Sequence, residues 1–587
     1  HSPRFGFDFE HSNSKVSIID LEPAAIELYS PEEIRSFNAM QPPAAQIPLP
    51  LSFLTVSDIL RLPLREFVTA VGPGLALERG FRSDRRQDLF RLYAADTWRV
   101  RKRLTMNYGL AWSYEPHSLN VDLTKPALLT GILGADNLNP PRTQKANFAP
   151  AVGFAWTATK DGKTVIRGGA ARYFDFASFN SFTLTNERFA LSPAGTGRRT
   201  TPGSAIFYQG QPLDFSQSPT SFTGADLLAI IGSIRANLLA QLNPNNRDFT
   251  FRNLNLDKTG AFLSDPFYQT PYGLHFSLGG QRELTPNLVL TTDFVWRRFL
   301  HTVLSGIDYN QFNRRPQGPI IPVCTATQQN DLSAVCSAGP ITFENTSGIA
   351  QYKGLLVRLE KRFSHRTQFL GSYALGSFKG TNGPPVFGFV TGFNNNNWFE
   401  NYGPLPSDLR HILNLGGLVD LPRGFQVSFS ISTYSHPPFS AYVGGVDFNG
   451  DGTRNDLLPG TKVNQFNRGL GKKDLVRLVQ SYNQNIAGKP TASGQIAPSL
   501  TLPTNYSFDD NFFTQDLRLG RTFPLAGERM RLVVFGEVFN LLNTANLVDF
   551  NVNLRDPDSF GQPSARFDHV FGSGGPRAFQ LGARLSF

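Results

Sequence analysis

Apolar and polar positions alternate with a period of two along much of the chain, the mark of strands with one apolar face. In Leu104–Glu115, Leu104, Met106, Tyr108, Leu110, Trp112 and Tyr114 share one face, while Thr105, Asn107, Gly109, Ala111, Ser113 and Glu115 share the other. The same alternation marks Tyr272–Gln281, Leu288–Arg297, Phe425–Ser432 and Ala578–Phe587. A soluble sandwich alternates too, so length and connectivity decide. These runs reach about 10 residues, against the five or six usual in soluble sheets. Ten residues tilted by about 40° span roughly 25 Å, the height of a bilayer's apolar band. Trp98, Trp112, Tyr114, Trp156 and Trp296 read as lying at strand ends, where an interfacial aromatic girdle belongs.

The connections alternate between short and long. Short turns at 101–103, 159–163, 282–287, 364–366, 421–424 and 524–528 each join two runs as a hairpin. Long stretches of roughly 116–146, 175–269, 300–350, 379–407, 435–511 and 543–576 separate the hairpins. Short turns on one rim and long loops on the other are the layout of a membrane β-barrel. Structureless segments of that length are out of place in a compact soluble domain. Helical periodicity appears inside the loops. Asp226–Leu242 gathers Leu227, Ile230, Ile231, Ile234, Leu238 and Leu242, and Lys473–Asn485 gathers Leu475, Leu478, Val479 and Tyr482. Ser30-Pro31-Glu32-Glu33 has the form of a helix start with a capping box. These helices are expected to pack loops together rather than to shape a ligand vestibule.

Composition narrows the classes. With 12% aromatic and only 17% charged residues the chain can bury surface and is not disordered. It lacks the glycine period of collagen and the heptads of a coiled coil. No run of about 18 apolar residues exists, so no transmembrane helix is expected. The mean hydropathy of −0.22 does not separate a large soluble β protein from a barrel that is apolar on one face. The net charge of +10 is spread over short clusters such as Arg101-Lys102-Arg103 and Arg314-Arg315. Such clusters suit rims facing headgroups better than a groove for nucleic acid, and no nucleic-acid partner is expected. The chain opens His1-Ser2-Pro3 without Met or a signal peptide, which reads as a mature product or a piece of a longer protein.

Several stretches together resemble one family, the C-terminal β-barrel of TonB-dependent outer-membrane transporters of the Oar-like group. They are LYAADTWRVRKRLTMNYGLAWSYEP from Leu92, NFAPAVGFAW from Asn147, GKTVIRGGAARYFD from Gly162, SDLRHILNLGGLVDLPRGF from Ser407, DFNGDGTRNDLLPG from Asp447 and FGEVFNLLNTAN from Phe535. The resemblance implies an all-β fold, a transmembrane antiparallel up-and-down barrel with long extracellular loops containing short helices. About 14 to 16 strands can be placed, against about 22 in the family's barrel. The whole chain, 1–587, then reads as a single receptor barrel domain, the C-terminal part, with no plug domain visible. The chain end also resembles the assembly signal of outer-membrane barrels, with Gln580, Gly582, Leu585 and Phe587 in its positions. The implied partners are outer-membrane lipid, the barrel-assembly machinery, and the TonB–ExbB–ExbD complex acting through N-terminal parts not seen here. The implied address is the outer membrane of a Gram-negative bacterium.

Candidate chemistry is sparse. Asp447, Asn449, Asp451, Gly452 and Thr453 have the D-x-N-x-D-G spacing of a calcium loop. Leu458 stands where an EF-hand supplies its bidentate Glu, and Asp456 could substitute. Calcium would order a long surface loop; the other reading is an Asx-rich turn without metal. Cys324 and Cys336 lie close together in a polar stretch and suit a loop disulfide in an oxidising compartment. Asp408, Arg410, Arg518, Glu537 and Arg584 read as charges within strands, which on the polar face would line a lumen. His411 reads as a rim residue. No catalytic constellation stands out, and no enzyme is expected. The preferred reading is a ligand-gated importer of a scarce substrate: an iron chelate, cobalamin, oligosaccharide or peptide. The alternatives are a passive porin or adhesin barrel, and a secreted soluble glycan-binding β protein.

Overall fold

The structure is a computed structural model. It describes the chain apart from residues 19–22, 40, 52–54, 72–80, 117–124, 126–128, 141–142, 177–197, 201–205, 209–210, 214–218, 241–260, 305–306, 312–317, 326–327, 329–334, 338–340, 382–384, 387–388, 391–393, 454, 509, 526–528 and 568–572. Fourteen strands form one continuous antiparallel path: β1 (Ser2–Ile18), β2 (Phe81–Arg101), β3 (Leu104–Tyr114), β4 (Asn147–Thr157), β5 (Thr164–Phe174), β6 (Tyr272–Thr285), β7 (Leu288–Leu304), β8 (Ile341–Ser364), β9 (Thr367–Thr381), β10 (His411–Asp420), β11 (Phe425–Tyr434), β12 (Phe512–Leu525), β13 (Met530–Phe539) and β14 (Ala578–Ser586). Each strand of the path pairs with its sequence neighbours, as in an up-and-down meander. Two short strands, Ala261–Ser264 on β8 and Tyr402–Pro404 on β9, complete a 16-stranded sheet. β1 pairs only with β2 and β14 only with β13 among the described ladders.

The path has one tight rim. Six of its connections are short; between β8 and β9 the turn is His365-Arg366 alone, both residues at positive φ, as a two-residue type I′ hairpin requires. The others are long, and all seven (residues 19–80, 115–146, 175–271, 305–340, 382–410, 435–511 and 540–577) leave from the opposite rim. The sequence pattern missed the first of these, because 19–80 lacks a flanking alternation strong enough to place β1 against β2.

The register puts the apolar rows on one face. Leu92 lies opposite Trp112, Trp112 opposite Phe148, Phe276 opposite Trp296, Phe294 opposite Leu355, Leu355 opposite Leu375, and Phe429 opposite Leu517. These side chains do not pack into a dry layer. Leu110 is 48% exposed, Phe294 42% and Leu355 39%. A sandwich would bury that row against a second sheet; here it is bare. Asp96 is an acid on this face, held by Tyr108 Oη at 2.7 Å and the Ser2 amide at 2.9 Å.

The dry interior lies in the long connections instead. One core gathers Phe439, Val443, Leu458, Phe466, Leu475, Tyr482, Phe508 and Phe560 from 435–511 and 540–577. A second packs Leu227, Ile231 and Ile234 against Leu64 and Phe67, and a third joins Leu129, Ile321, Ile341 and Phe343. The described parts of the long segments thus carry more order than the helices that the sequence pattern revealed. Their apolar residues bury one another at irregular spacing, which no single period reveals. The expected helices are present as α1 (Pro31–Ala39), α2 (Gly224–Ala240) and α3 (Lys472–Asn485). The capping box of α1 is formed, with Glu33 N donating to Ser30 Oγ at 3.2 Å and Ser30 N to Glu33 Oε2 at 2.8 Å. α2 and α3 each turn their apolar face into a loop core, the packing role expected of them.

Candidate functional site on the polar face and the loop crown

The polar face is built by the residues between the apolar ones. Its charges pair across strands. Asp8 on β1 meets Arg91 on β2 at 3.2 Å, and Arg518 on β12 meets Glu537 on β13 at 3.1 Å. Arg167 on β5 reaches over β6 to Asp293 on β7, Nη2 to Oδ2 2.9 Å. Gly279 stands between them in register, and a Cβ there would strike the Asp293 carboxylate. The missing side chain leaves the space that the pair uses. Each of these pairs is partly exposed, so it adds little stability on its own. Its effect is to keep a charged, wettable wall in a fixed pattern.

Two grooves run along this face. One, of about 480 Å³, is lined by Arg4, Thr97, Asn107, Tyr173, His275 and Arg297. The other, of about 410 Å³, is lined by Arg167, Thr291, Asp293, Arg358, Glu360 and Asn414. Hydroxyls, amides and charges of both signs suit the passage or docking of a polar solute.

The C-terminal residues named above lie on β14. Gln580 is in register with Glu537, and Gly582 with Phe535. The Phe535 ring fills the place that a Cβ on Gly582 would take, and the Arg518 guanidinium lies over the same ring at 3.7 Å. Leu585 faces the other way, in register with Leu532. Phe587 follows the strand and is fully exposed. Arg584 shares the polar face, opposite Val533.

Asp408 and Arg410 depart from the sequence reading. They precede β10 rather than lie in a strand, and Asp408 is buried. Asp408 Oδ1 accepts from the Phe378 amide at 2.6 Å, and Oδ2 from Arg468 Nε at 2.7 Å. Arg410 lies 3.5 Å away on the same carboxylate. The group pins the 435–511 connection to the upper end of β9. Alternation could not reveal this, because Arg468 comes from sixty residues further on. His411 opens β10, its ring 2.8 Å from Tyr373 Oη.

The Asp-rich loop sits at the meeting point of three connections. Asp447, Asp451 and Asp456 are all buried. Asp447 accepts the amides of Gly450, Asp451 and Gly452. Asn449 Oδ1 accepts the Asp451 amide at 2.9 Å. Asp456 Oδ2 accepts the Phe448 amide at 2.7 Å. Thr453 Oγ1 lies 2.5 Å from Asp451 Oδ1 and 2.7 Å from Asp456 Oδ1. One hydroxyl proton cannot serve both carboxylates. Burial, with smaller contributions from Asp451 and Asp447, pushes the Asp456 carboxyl up to about 6. No set of three or more Asp, Glu, His or Cys side chains among the described residues forms a ready metal cage.

From the 382–410 connection, the Asn395 amide donates to Asp451 Oδ2 at 2.5 Å, and its side chain pairs with the backbone of Asp308, 2.9 and 3.0 Å. Sequence reasoning passed over Asn395 and Asp308. The run of four asparagines at 394–397 was the available signal, since Asn side chains bind nearby backbone in turns. In the same crown Cys324 and Cys336 are joined by a disulfide, their Cα atoms 5.0 Å apart.

Residues 75–580 match the family model described as an outer membrane beta barrel domain. Among solved structures, the chain is similar to the outer membrane transporter YddB from Escherichia coli, with 11% identity and a TM-score of 0.43 over 88% of this chain and 48% of that one. It is similar to the siderophore receptor PirA from Acinetobacter baumannii, with 11% identity and a TM-score of 0.40 over 89% and 53%. A variant of the ferric enterobactin receptor PfeA from Pseudomonas aeruginosa, in complex with enterobactin, matches with 10% identity and a TM-score of 0.41 over 89% and 52%. The chain thus spans about half the length of these structures. No curated protein matches it.

Proposed function

Since the chain belongs to the outer membrane beta barrel domain family over residues 75–580, we propose that it is the barrel wall of a TonB-dependent receptor, which imports a scarce substrate across the outer membrane of a Gram-negative bacterium. The observation that supports this best is the asymmetry of the two rims. One carries only tight turns. The other carries a crown with its own dry cores above a polar, charge-paired face. A passive pore needs the polar face alone; a receptor also needs folded loops that hold a ligand before it moves. The crown captures, the polar face conducts, and TonB with ExbB and ExbD supplies the work. No covalent chemistry is assigned to this chain. The substrate is a polar small molecule, glycan or peptide.

The test is uptake by cells that express the protein, with and without functional TonB. Import that vanishes without TonB supports the receptor. Import that persists unchanged identifies a passive porin. Extraction into buffer without detergent would overturn the membrane reading in favour of a soluble glycan binder.

Calcium in the 447–456 loop belongs to the same proposal. Support comes from the oxygens of Asp451, Thr453 and Asp456, which converge on too few protons; a hard cation would take that place with oxygen ligands alone. Calcium would neutralise the buried carboxylates and hold the three connections together. Calorimetric titration of the detergent-solubilised protein with calcium checks this: saturable binding that is lost in Asp451→Asn supports the site, and no heat at millimolar calcium removes it.

A further inference from the structure

The apolar face of β5–β9 carries a row of cations near the long-loop rim. Leu274 on β6 is in register with Arg172 on β5 and with Arg298 on β7. Arg298 is in register with Gln351 on β8, and Gln351 with Lys379 on β9. Lys353 lies two residues below Gln351, opposite Trp296. Four strand spacings separate the ends of this row, about 19 Å. All four cations share the face of Phe276, Phe294, Leu355 and Leu375. Each lies some 8 to 12 residues beyond the short turns, or roughly 20 to 30 Å along the membrane normal for strands tilted by about 40°. With an apolar band about 25 Å tall, the row runs from the upper edge of the hydrocarbon at Arg172 and Arg298 into the outer headgroups at Lys353 and Lys379.

None of the four has a carboxylate partner or a hydrogen-bond acceptor among the described residues. The lipid-facing positions of these five strands hold no Asp or Glu to offer one. Two cations on the same face near the short-turn rim differ. Arg282 donates to Thr164 Oγ1 at 2.9 Å, and Lys361 to the Ser364 and Thr367 carbonyls at 2.7 and 2.8 Å. The lower cations cap turns; the upper ones are unspent. Arg172 is also held in place. Its guanidinium lies 3.9 Å from the Tyr272 ring centroid and 4.4 Å from that of Phe174, and its buried Nε has no partner. A cation stacked on two rings has lost most of its rotamer freedom before any ligand arrives.

We propose that Arg172, Arg298, Lys353 and Lys379 form a binding site for the phosphate groups of an outer-leaflet lipid, whose acyl chains lie along Phe276, Phe294 and Leu355 below. The site rests on the membrane placement and not on import, so it stands whether or not the barrel transports. Phosphate oxygens would pair with the arginine forks, and the rows of Leu and Phe would meet the chains.

The test uses the whole chain in nanodiscs of phosphatidylcholine, doped with bis-phosphorylated lipid A, dephosphorylated lipid A or phosphatidylglycerol, and a separate arm with inorganic phosphate in solution. Retention of the labelled lipid after washing is the readout. The expected result is retention of phosphorylated lipid A at least tenfold above the dephosphorylated form, lost in the combined R172Q/R298Q/K353Q/K379Q variant and unchanged in R282Q/K361Q. The single variants Arg298→Gln and Lys379→Gln, each checked for heat-modifiable gel mobility, keep the result readable should the combined variant fail to assemble. Equal retention of dephosphorylated lipid A or of phosphatidylglycerol would overturn the site. So would equal losses in both combined variants, full retention in a folded four-site variant, or displacement by millimolar free phosphate alone.

Discussion

Asp408 and Arg468 are 1% and 5% exposed, and the pair is the most deeply buried ion pair among the described residues. Removing one member of such a pair leaves the other charge buried without compensation, which costs about 3 to 5 kcal/mol. Asp408→Ala is expected to loosen the 435–511 connection by roughly that amount, seen as faster amide exchange at Phe378 and along α3. Asp408→Asn keeps an oxygen for the Phe378 amide and should cost less. A second residue in the crown sets a pH dependence. Burial raises the Asp308 carboxyl to about 6, although the Asn310 and Ile341 amides donate to it. The folded form then holds a proton that the opened form releases. The stabilisation is present below the ordinary aspartate range and is lost as pH rises from about 4 through 6. Opening of the 305–340 connection should become easier by on the order of a hundredfold across that window. In Asp308→Asn that part of the slope should be absent. Hydrogen exchange at Ile341, compared between the two proteins at several pH values, measures the difference.

At the scale of elements, strands inside the lipid band were legible and those outside it were not. β3, β6, β11 and β14 each show a clean alternation, because one face meets apolar surroundings and the other water. The first half of β8 does not. Thr342, Asn345 and Thr346 are buried there under the crown beside Ile341 and Phe343, so both faces meet protein and the period disappears. α2 and α3 were legible from spacing alone, since each has one face to bury. Of the candidate site, the Asp-rich loop and the cysteine pair could be read from local spacing, whereas the Asn395 and Arg468 contacts join segments far apart in sequence and leave no local trace. The disulfide closes a short loop, with 12 residues of separation between Cys324 and Cys336. Opening such a loop costs about 3 kcal/mol. Reduction is therefore expected to accelerate exchange at Ile321 and Cys324 while β7 and β9 stay protected. Unchanged exchange after reduction would show that the Asn310 side chain, which donates to the Ile321 carbonyl at 2.9 Å and accepts from its amide at 2.6 Å, and the Leu129 core hold this connection unaided.

For the molecule as a whole, adjacent residues on one strand test which face meets lipid. Phe429 and Ser430 are neighbours on β11 that point to opposite faces, in register with Leu517 and Asp516 respectively. An arginine at mid-depth on the lipid side costs about 2 to 4 kcal/mol, whereas a lumen position tolerates it. Phe429→Arg should therefore lower the yield of the heat-modifiable folded form, and Ser430→Arg, which faces Asp516, should not. Similar losses at both positions would remove the distinction between the faces.

The strands outgrow the bilayer. β8 has 24 residues and β2 has 21, and a strand of 24 rises roughly 60 Å at a tilt of about 40°, more than twice the apolar band. The surplus lifts the crown clear of the membrane, so one polypeptide lives in two solvents with opposite rules. Above, Leu and Phe hide from water, and urea weakens their clustering. Below, the same residues already face hydrocarbon, and the backbone ladders have no water to turn to. Rising urea should melt the upper storey first, with loss of α3 and its neighbours. The ribbon underneath should persist, so that unfolding proceeds in two separate steps rather than one.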